Sequence, residues 1–174
     1  ESKKRKYTFL KKDICIGNSS NKFTTPWTND QFIVDKIKEM RPTVDYLVMY
    51  PHWGTEYSLT PNKKQIKLAH EWIDAGADVI IGHHPHVVQT VEEYKGKYIF
   101  YSLGNFIFDQ YFSFNTTHGI GVSVDVYKDK IDYKIIPFAN VGHKISVLSE
   151  ENKIKVFDIL RSVTQGDFLD GMLR

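Results

Sequence analysis

The sequence is poor in the features that usually place a protein quickly. It has one cysteine, Cys15, in 174 residues. That excludes an intramolecular disulfide framework and leaves the compartment open, because a disulfide-free chain is compatible with the cytosol or with export. Neither charge dominates: 23 Lys and Arg against 21 Asp and Glu leave a formal +2, too small a balance to imply a nucleic-acid partner. The only basic cluster, Lys3-Lys4-Arg5-Lys6, reads as a solvated tail. No apolar run approaches the roughly 20 residues that span a bilayer, and no signal peptide is visible. The chain opens on Glu1 without Met, which raises the expectation of an upstream segment removed or left out. Repeats, low-complexity stretches and linkers are also missing.

What is there is enough for one folded domain over residues 1–174. Hydrophobic residues make up 41% and charged residues 25%, and 11 Phe, 10 Tyr and 3 Trp argue against disorder. The most informative stretch is Val79-Ile80-Ile81-Gly82-His83-His84-Pro85-His86, which holds three of the seven histidines. Its apolar run reads as a short buried strand ending where the imidazoles begin. Pro85 should push His84 toward an extended conformation, so that His84 and His86 project to one side. Paired imidazoles at a strand end suit zinc, manganese, iron and similar ions.

From the N-terminus, Tyr7 to Ile16 could form an edge strand, followed by a loop over Gly17–Asn21. Thr28 and Gln31 resemble a capping box, and Phe32, Ile33, Ile37 and Met40 recur at helical spacing, giving a helix from about Asn29 to Met40 that Arg41-Pro42 stops. Val44 to Tyr50 is a second β-prone run, emptying into Pro51-His52-Trp53-Gly54-Thr55-Glu56. Thr60-Pro61 offers an N-cap and first position for a helix with Ile66, Ala69, Trp72 and Ile73 on its apolar face and Gly76 as its stop. Strand, His52 loop, helix, strand, His-x-His loop is a βαβ unit with parallel strands, so both histidine clusters fall on one sheet edge. Sites in open α/β sheets form outside the carboxyl ends of the strands.

Downstream, Val87–Tyr94 and Tyr98–Leu103 read as a hairpin around Lys95-Gly96-Lys97, ending in Ser102-Leu103-Gly104-Asn105-Phe106. Ile120 to Val126 and Ile131 to Phe138 form a second, half-exposed hairpin around Lys128-Asp129-Lys130. Ile154, Phe157, Leu160, Arg161 and Val163 suggest a helix ending near Gly166.

Three blocks, in order and in register, resemble the CapA family of poly-γ-glutamate capsule biosynthesis proteins, a branch of the calcineurin-like metallophosphoesterase superfamily. They are His52-Trp53-Gly54-x-Glu56, Gly76-Ala77-Asp78-x-x-x-Gly82-His83-His84-Pro85-His86 and Tyr101-Ser102-Leu103-Gly104-Asn105-Phe106. The resemblance runs from about Val44 to Gln110 and weakens to Phe138. It implies an α/β fold, a four-layer α/β/β/α sandwich of which this chain is the C-terminal portion. It also implies metal ligation by His52, His84 and His86, with a divalent ion (Mn, Zn or Fe) as cofactor, and a role in capsule biosynthesis at the cell envelope. Other capsule-synthesis proteins are then the expected partners, and membrane association is expected only through an N-terminal segment that is not in this chain. The alternative implied by the superfamily is a metal-dependent phosphoesterase. Its early acidic ligand blocks have no counterpart before Val44, so the remaining ligands would lie upstream.

Beside the ligands, Glu56 and Asn105 are the candidate catalytic residues. Glu56 either orients His52, touches substrate or is simply solvated; Asn105 is either a turn residue or a site contact. Having the opposite parity, His83 reads as a second-sphere or structural residue. His70, His118 and His143 read as surface residues, and Trp53 and Trp72 as packing groups. Gly166-Asp167-Phe168-Leu169-Asp170 imitates a superfamily Gly-Asp-x-x-Asp block but reads as a helix-ending turn.

Overall fold

The structure, a computed structural model, describes residues 30–127 and 130–173, together with the backbone of residues 7–12. The expected loop over Gly17–Asn21, the Thr28 cap and the basic tail lie outside the described residues.

The elements follow the order β1 (Tyr7–Lys12), α1 (Asp30–Met40), β2 (Tyr46–Pro51), α2 (Lys63–Ala75), β3 (Val79–Ile81), β4 (Val91–Tyr94), β5 (Lys97–Phe100), α3 (Phe114–Thr117), β6 (His118–Val126), β7 (Ile131–Val141), β8 (Lys144–Val147), α4 (Glu150–Val163) and α5 (Phe168–Met172). They build two sheets, five strands in the order β1-β2-β3-β5-β4 and three in the order β6-β7-β8. The fold is thus mixed α/β with two sheets. β1 is the edge strand expected from the sequence and runs parallel to β2. β2 and β3 are parallel, as the βαβ reading requires, and β3 also pairs in parallel with β5.

Alternation along the central strands divides the core in two. Leu47 and Met49 of β2, Ile80 of β3 and Ile99 of β5 pack with Ile33, Ile37, Leu68, Ala69 and Trp72 of α1 and α2. Tyr46, Val48, Val79 and Phe100 face the other way, onto Ile120, Ile135 and Ala139 of the second sheet and Val156 and Leu160 of α4. A period of two in the strands meeting a period of 3.6 in the helices produces this layering. Each fully buried large side chain contributes about 1.5–3 kcal/mol of hydrophobic burial. The two sheets are also joined by a hydrogen bond between the Tyr46 and Tyr133 hydroxyls. Burial pushes both phenols up, Tyr133 to about 12.

Several boundaries move. The cap of α2 is Asn62, whose side chain accepts from the Gln65 N–H while the Gln65 side chain returns to the Asn62 N–H. That reciprocal pair displaces the expected Thr60-Pro61 start by two residues. Gly76 does end the helix, in the left-handed conformation. The first hairpin is shorter than expected, with Lys95 and Gly96 both at positive φ in its turn. The second hairpin gains a third strand, β8, after a Gly142-His143 turn. Helix α4 stops at Val163. The block Gly166–Asp170 is not a plain turn, since it leads into α5, where Asp170 accepts from Arg161 at 3.1 Å.

Candidate metal and ligand site

The site is built by two loops leaving one edge of the central sheet. β2 and β3 continue their parallel pairing beyond the strands through a bridge between His52 and His83. The His83 N–H donates to Pro51 O and the Trp53 N–H to His83 O, both at 2.9 Å. His52 and the following histidines therefore start from the same level of the sheet, at its carboxyl edge, as the βαβ reading anticipates. Gly82 allows this: a Cβ there would lie 2.2 Å from Tyr101 O and 2.5 Å from Trp53 Nε1. Trp53 and Trp72 are packing groups, stacked with ring centroids 5.2 Å apart. The outer loop is held by a buried amide, Gln89, whose Nε2 donates to Ser58 O (2.8 Å) and Thr60 O (3.1 Å) while its Oε1 accepts from Gln65 Nε2.

The histidine loop itself departs from expectation. His84 is not extended before Pro85 but lies at φ 104, and His86 lies at φ 63. The turn overrides the pre-proline preference because the Pro85 carbonyl must accept from the Tyr57 N–H at 2.8 Å, and Tyr57 is itself at φ 62. Three non-glycine residues in the left-handed region meet at one place, the kind of backbone strain found at functional sites. The imidazoles nevertheless converge. The ring centroids of His84 and His86 are 5.8 Å apart, and those of His52 and His84 4.6 Å.

Glu56, His84 and His86 each offer one ligand atom within 4.8 Å of the others, and Glu56 Oε1 lies 3.9 Å from His86 Nε2. Glu56 thus faces His86 and joins the ligand-capable set, whereas His52 packs beside it against His84. Burial and the neighbouring His86 hold His84 below the usual histidine range, partly opposed by Glu56, so it is neutral and available as a ligand at pH 7. One carboxylate and two imidazoles fit a borderline divalent ion such as zinc, manganese or iron.

Asn105, 5% exposed, lies against His86 in this site. Its Nδ2 donates to Thr116 O at 3.1 Å, and a backbone carbonyl can only accept. The amide orientation is therefore fixed with Oδ1 toward His86 Nδ1, 2.8 Å away. His86 then carries its proton on Nδ1 and presents a bare Nε2 toward Glu56. A metal-binding histidine needs this arrangement of its second nitrogen.

His83 stands apart from the cluster, against Tyr50 at 4.0 Å between ring centroids, and burial beside His52 lowers it to about 4. It is neutral and largely buried, as a structural residue would be, but the turn at His84 and His86, and not strand alternation, sets it apart from them. His118 is not a surface residue: it is 9% exposed, stacks on Phe114 at 3.7 Å and hydrogen-bonds Phe114 O. His70 is half-buried and pairs with Glu92 at 2.7 Å, while His143 is exposed in its turn. None of the three joins the cluster. The residues that sequence reasoning missed are aromatic and neutral: Phe108 and Tyr57 flank the His86 ring at 4.9 and 6.0 Å, and Phe112 meets Tyr57 edge-on. Charge and metal-ligand spacing could not reveal them; the signal for Phe108 and Phe112 is the run of aromatics after Gly104, and Tyr57 carries none.

Fold and site together define an α/β protein with a histidine- and carboxylate-bearing site at the carboxyl ends of parallel strands. Residues 3–110 match the family described as bacterial capsule synthesis protein PGA_cap, and the chain belongs to that family. It is 50% identical over 80 residues to the PGA biosynthesis protein CapA of Bacillus subtilis, a match covering 46% of this chain and 21% of the relative. Over 78 residues it is 50% identical to the capsule biosynthesis protein CapA of Bacillus anthracis, covering 44% and 19%. A probable polyglutamine synthesis accessory protein of Mycobacterium tuberculosis is 31% identical over 80 residues, covering 46% and 21%. The match spans about a fifth of the length of these relatives.

Proposed function

We propose that this chain acts in poly-γ-glutamate capsule biosynthesis at the cell envelope, together with other capsule-synthesis proteins, as the C-terminal part of a metallophosphoesterase-like four-layer sandwich. The observation that carries the proposal is the meeting of Glu56, His84 and His86 at the carboxyl edge of the sheet in a chain of the capsule synthesis family. The names of its Bacillus relatives support the pathway. The partial-domain reading draws support from the second sheet, three strands among the described residues, which carries Ile136 and Val147 at 50% and 91% exposure. A cleft of about 990 Å³ opens there, lined by Tyr50, Phe106, Ile136, Phe138 and Val147 among others. Apolar area of this extent is what further elements of a sandwich would cover. No helix among the described residues is long and apolar enough to cross a membrane.

The donor set favours a second reading of the same site, a metal-dependent phosphoesterase completed by acidic ligands upstream. A divalent ion bound there would polarise a phosphoryl oxygen and lower the pKa of a water molecule. The chain's own share is to present neutral His84, His86 through Nε2 and the exposed Glu56 carboxylate, with His52 beside them.

The test is calorimetric titration with Zn²⁺ and Mn²⁺, plus hydrolysis of a chromogenic phosphodiester, on this chain and on one extended upstream. We expect stoichiometric metal binding, weakened at least about 10–100-fold by His84→Ala, and turnover in the extended protein that this substitution abolishes. Absence of metal binding in both proteins would refute the site. Binding without turnover would retain the capsule reading and discard the phosphoesterase. Loss of capsule in a producing strain carrying His84→Ala is the corresponding result in cells.

A further inference from the structure

Beyond Asn105, a continuous hydrogen-bonded chain leads out of the site to residues that carry no charge and ligate nothing. Asn105 Nδ2 donates to Gln110 Oε1 at 3.2 Å, and Gln110 Nε2 donates to the Tyr57 hydroxyl at 2.9 Å. Each amide fits in one orientation only. Thr116 O fixes Asn105 with its nitrogen outward, and Asn105 Nδ2 then requires the oxygen of Gln110 on its side, which turns the Gln110 nitrogen to Tyr57. Tyr57 is in turn held by its backbone N–H on Pro85 O, between His84 and His86.

We propose that Gln110 and Tyr57 are positioning residues of the histidine site, closing a ring of contacts Tyr57–Gln110–Asn105–His86 that selects the His86 tautomer with Nε2 free for a metal ion. The inference rests on the metal reading of the site for its purpose, but its physical content concerns the protein without metal. Two acceptors, Thr116 O and Gln110 Oε1, face the Asn105 amide nitrogen. Were the amide to rotate, its oxygen would meet both, so Gln110 adds a second oxygen–oxygen repulsion to the one that Thr116 already imposes on the rotated state. With Gln110 removed, only Thr116 O opposes the rotated amide, so the population that presents N–H to His86 Nδ1 and holds the proton on Nε2, the nitrogen that faces Glu56, rises. The partners of ligating histidines act by this means, holding the far ring nitrogen in one protonation pattern.

The experiment is ¹H–¹⁵N long-range correlation NMR on the metal-free chain at alkaline pH, where the imidazoles are neutral, reading which nitrogen of His86 carries hydrogen. It is paired with calorimetric Zn²⁺ titration of the same samples. Wild type is expected to show the Nδ1–H form. Gln110→Leu, similar in size but without a polar end, shifts His86 toward Nε2–H and weakens Zn²⁺ binding about tenfold, the low end for loss of an outer partner. Gln110→Glu keeps an acceptor for Asn105, can accept from the Tyr57 hydroxyl, and restores the Nδ1–H form. Tyr57→Phe, which removes the hydroxyl that Gln110 donates to, shifts the tautomer in the same direction by less, and it decides the question should Gln110→Leu not fold. A ring that served only to hold the loop would leave the tautomer alone. An unchanged His86 pattern in Gln110→Leu, or in Tyr57→Phe if that variant stands in for it, overturns the proposal. Failure of wild type to bind Zn²⁺ would refute the metal site instead, and the tautomer comparison would still decide the role of Gln110.

Discussion

Replacing Gly82 by alanine probes the junction on which the histidine loop stands. The added Cβ would lie 2.2 Å from Tyr101 O, 2.5 Å from Trp53 Nε1 and 3.0 Å from the Tyr101 carbonyl carbon. A carbon approaches a carbonyl oxygen no closer than about 3.3 Å, so β3 and β5 must part by about 1 Å here. Two backbone bonds cross this point, Gly82 N–H to Phe100 O at 2.7 Å and Leu103 N–H to Gly82 O at 3.2 Å. The buried Trp53 indole also donates to Tyr101 O at 2.9 Å. Overpacking of this kind costs about 1–3 kcal/mol, and a buried donor or acceptor left unpaired costs about 1–3 kcal/mol more. The expected loss is about 4 kcal/mol, a large part of the 5–15 kcal/mol that typically stabilises a domain. Urea unfolding followed by tryptophan fluorescence measures it, since Trp53 lies at the affected contact. Gly121→Ala is the control, because a Cβ there meets nothing closer than 3.7 Å. A loss below about 1 kcal/mol for Gly82→Ala, with an unchanged denaturant slope, would refute the reasoning.

Two further outcomes test the core and the loop. His83 is held neutral at about 4 against an ordinary 6.5, so the unfolded chain binds the extra proton in this interval. Its contribution to stability is complete above pH 6.5 and is lost as the pH falls toward 4, by about 3 kcal/mol at most. Urea midpoints of the metal-free protein between about pH 7.5 and 4.5 should therefore fall more steeply in wild type than in His83→Asn, and equal slopes would contradict the assignment. Leu160 is fully buried in the second core cluster, and Leu160→Ala should cost about 2–5 kcal/mol by the same measurement. A neutral result would mean that α4 does not hold the second sheet.

The βαβ unit is readable because its signals are local. The runs Val44–Tyr50 and Val79–Ile81, the periodic face of α2 and the stop at Gly76 each decide their own segment, and right-handed crossover geometry does the rest. What sequence could not supply comes from contacts distant along the chain. β8 is four residues long and contains two apolar residues, one of them highly exposed, so it carries little alternation of its own and exists by pairing with β7. The α2 cap moves because Asn62 and Gln65 satisfy each other's backbone, a reciprocity that also makes Gln65 a partner of Gln89. His118 reads as exposed because a histidine beside a glycine carries no burial signal; the Phe114 ring that covers it arrives from α3.

The site follows the same division, and the part that is illegible explains why the legible part works. Residue type and spacing put His52, His84 and His86 on one sheet edge, where they are found. They say nothing of the conformation that aims them. Had His84 and His86 adopted extended backbone, simple alternation would have set their directions, and Glu56, Tyr57 and Asn105 would be incidental neighbours. Instead His84, His86 and Tyr57 occupy left-handed conformations that cost on the order of 1–3 kcal/mol each. Such strain persists only where surroundings impose it. Here the restraints are the Tyr57 N–H on Pro85 O, the Gln89 amide on the carbonyls of Ser58 and Thr60, and Asn105 on His86. These restraints come from separate loops and reach both sheets, since Asn105 is anchored to Thr116 just ahead of β6. Packing alone gives no reason to fix two imidazoles and a carboxylate in strained backbone at a sheet edge. On the metal reading proposed above, presenting ligand atoms within 4.8 Å of one another does.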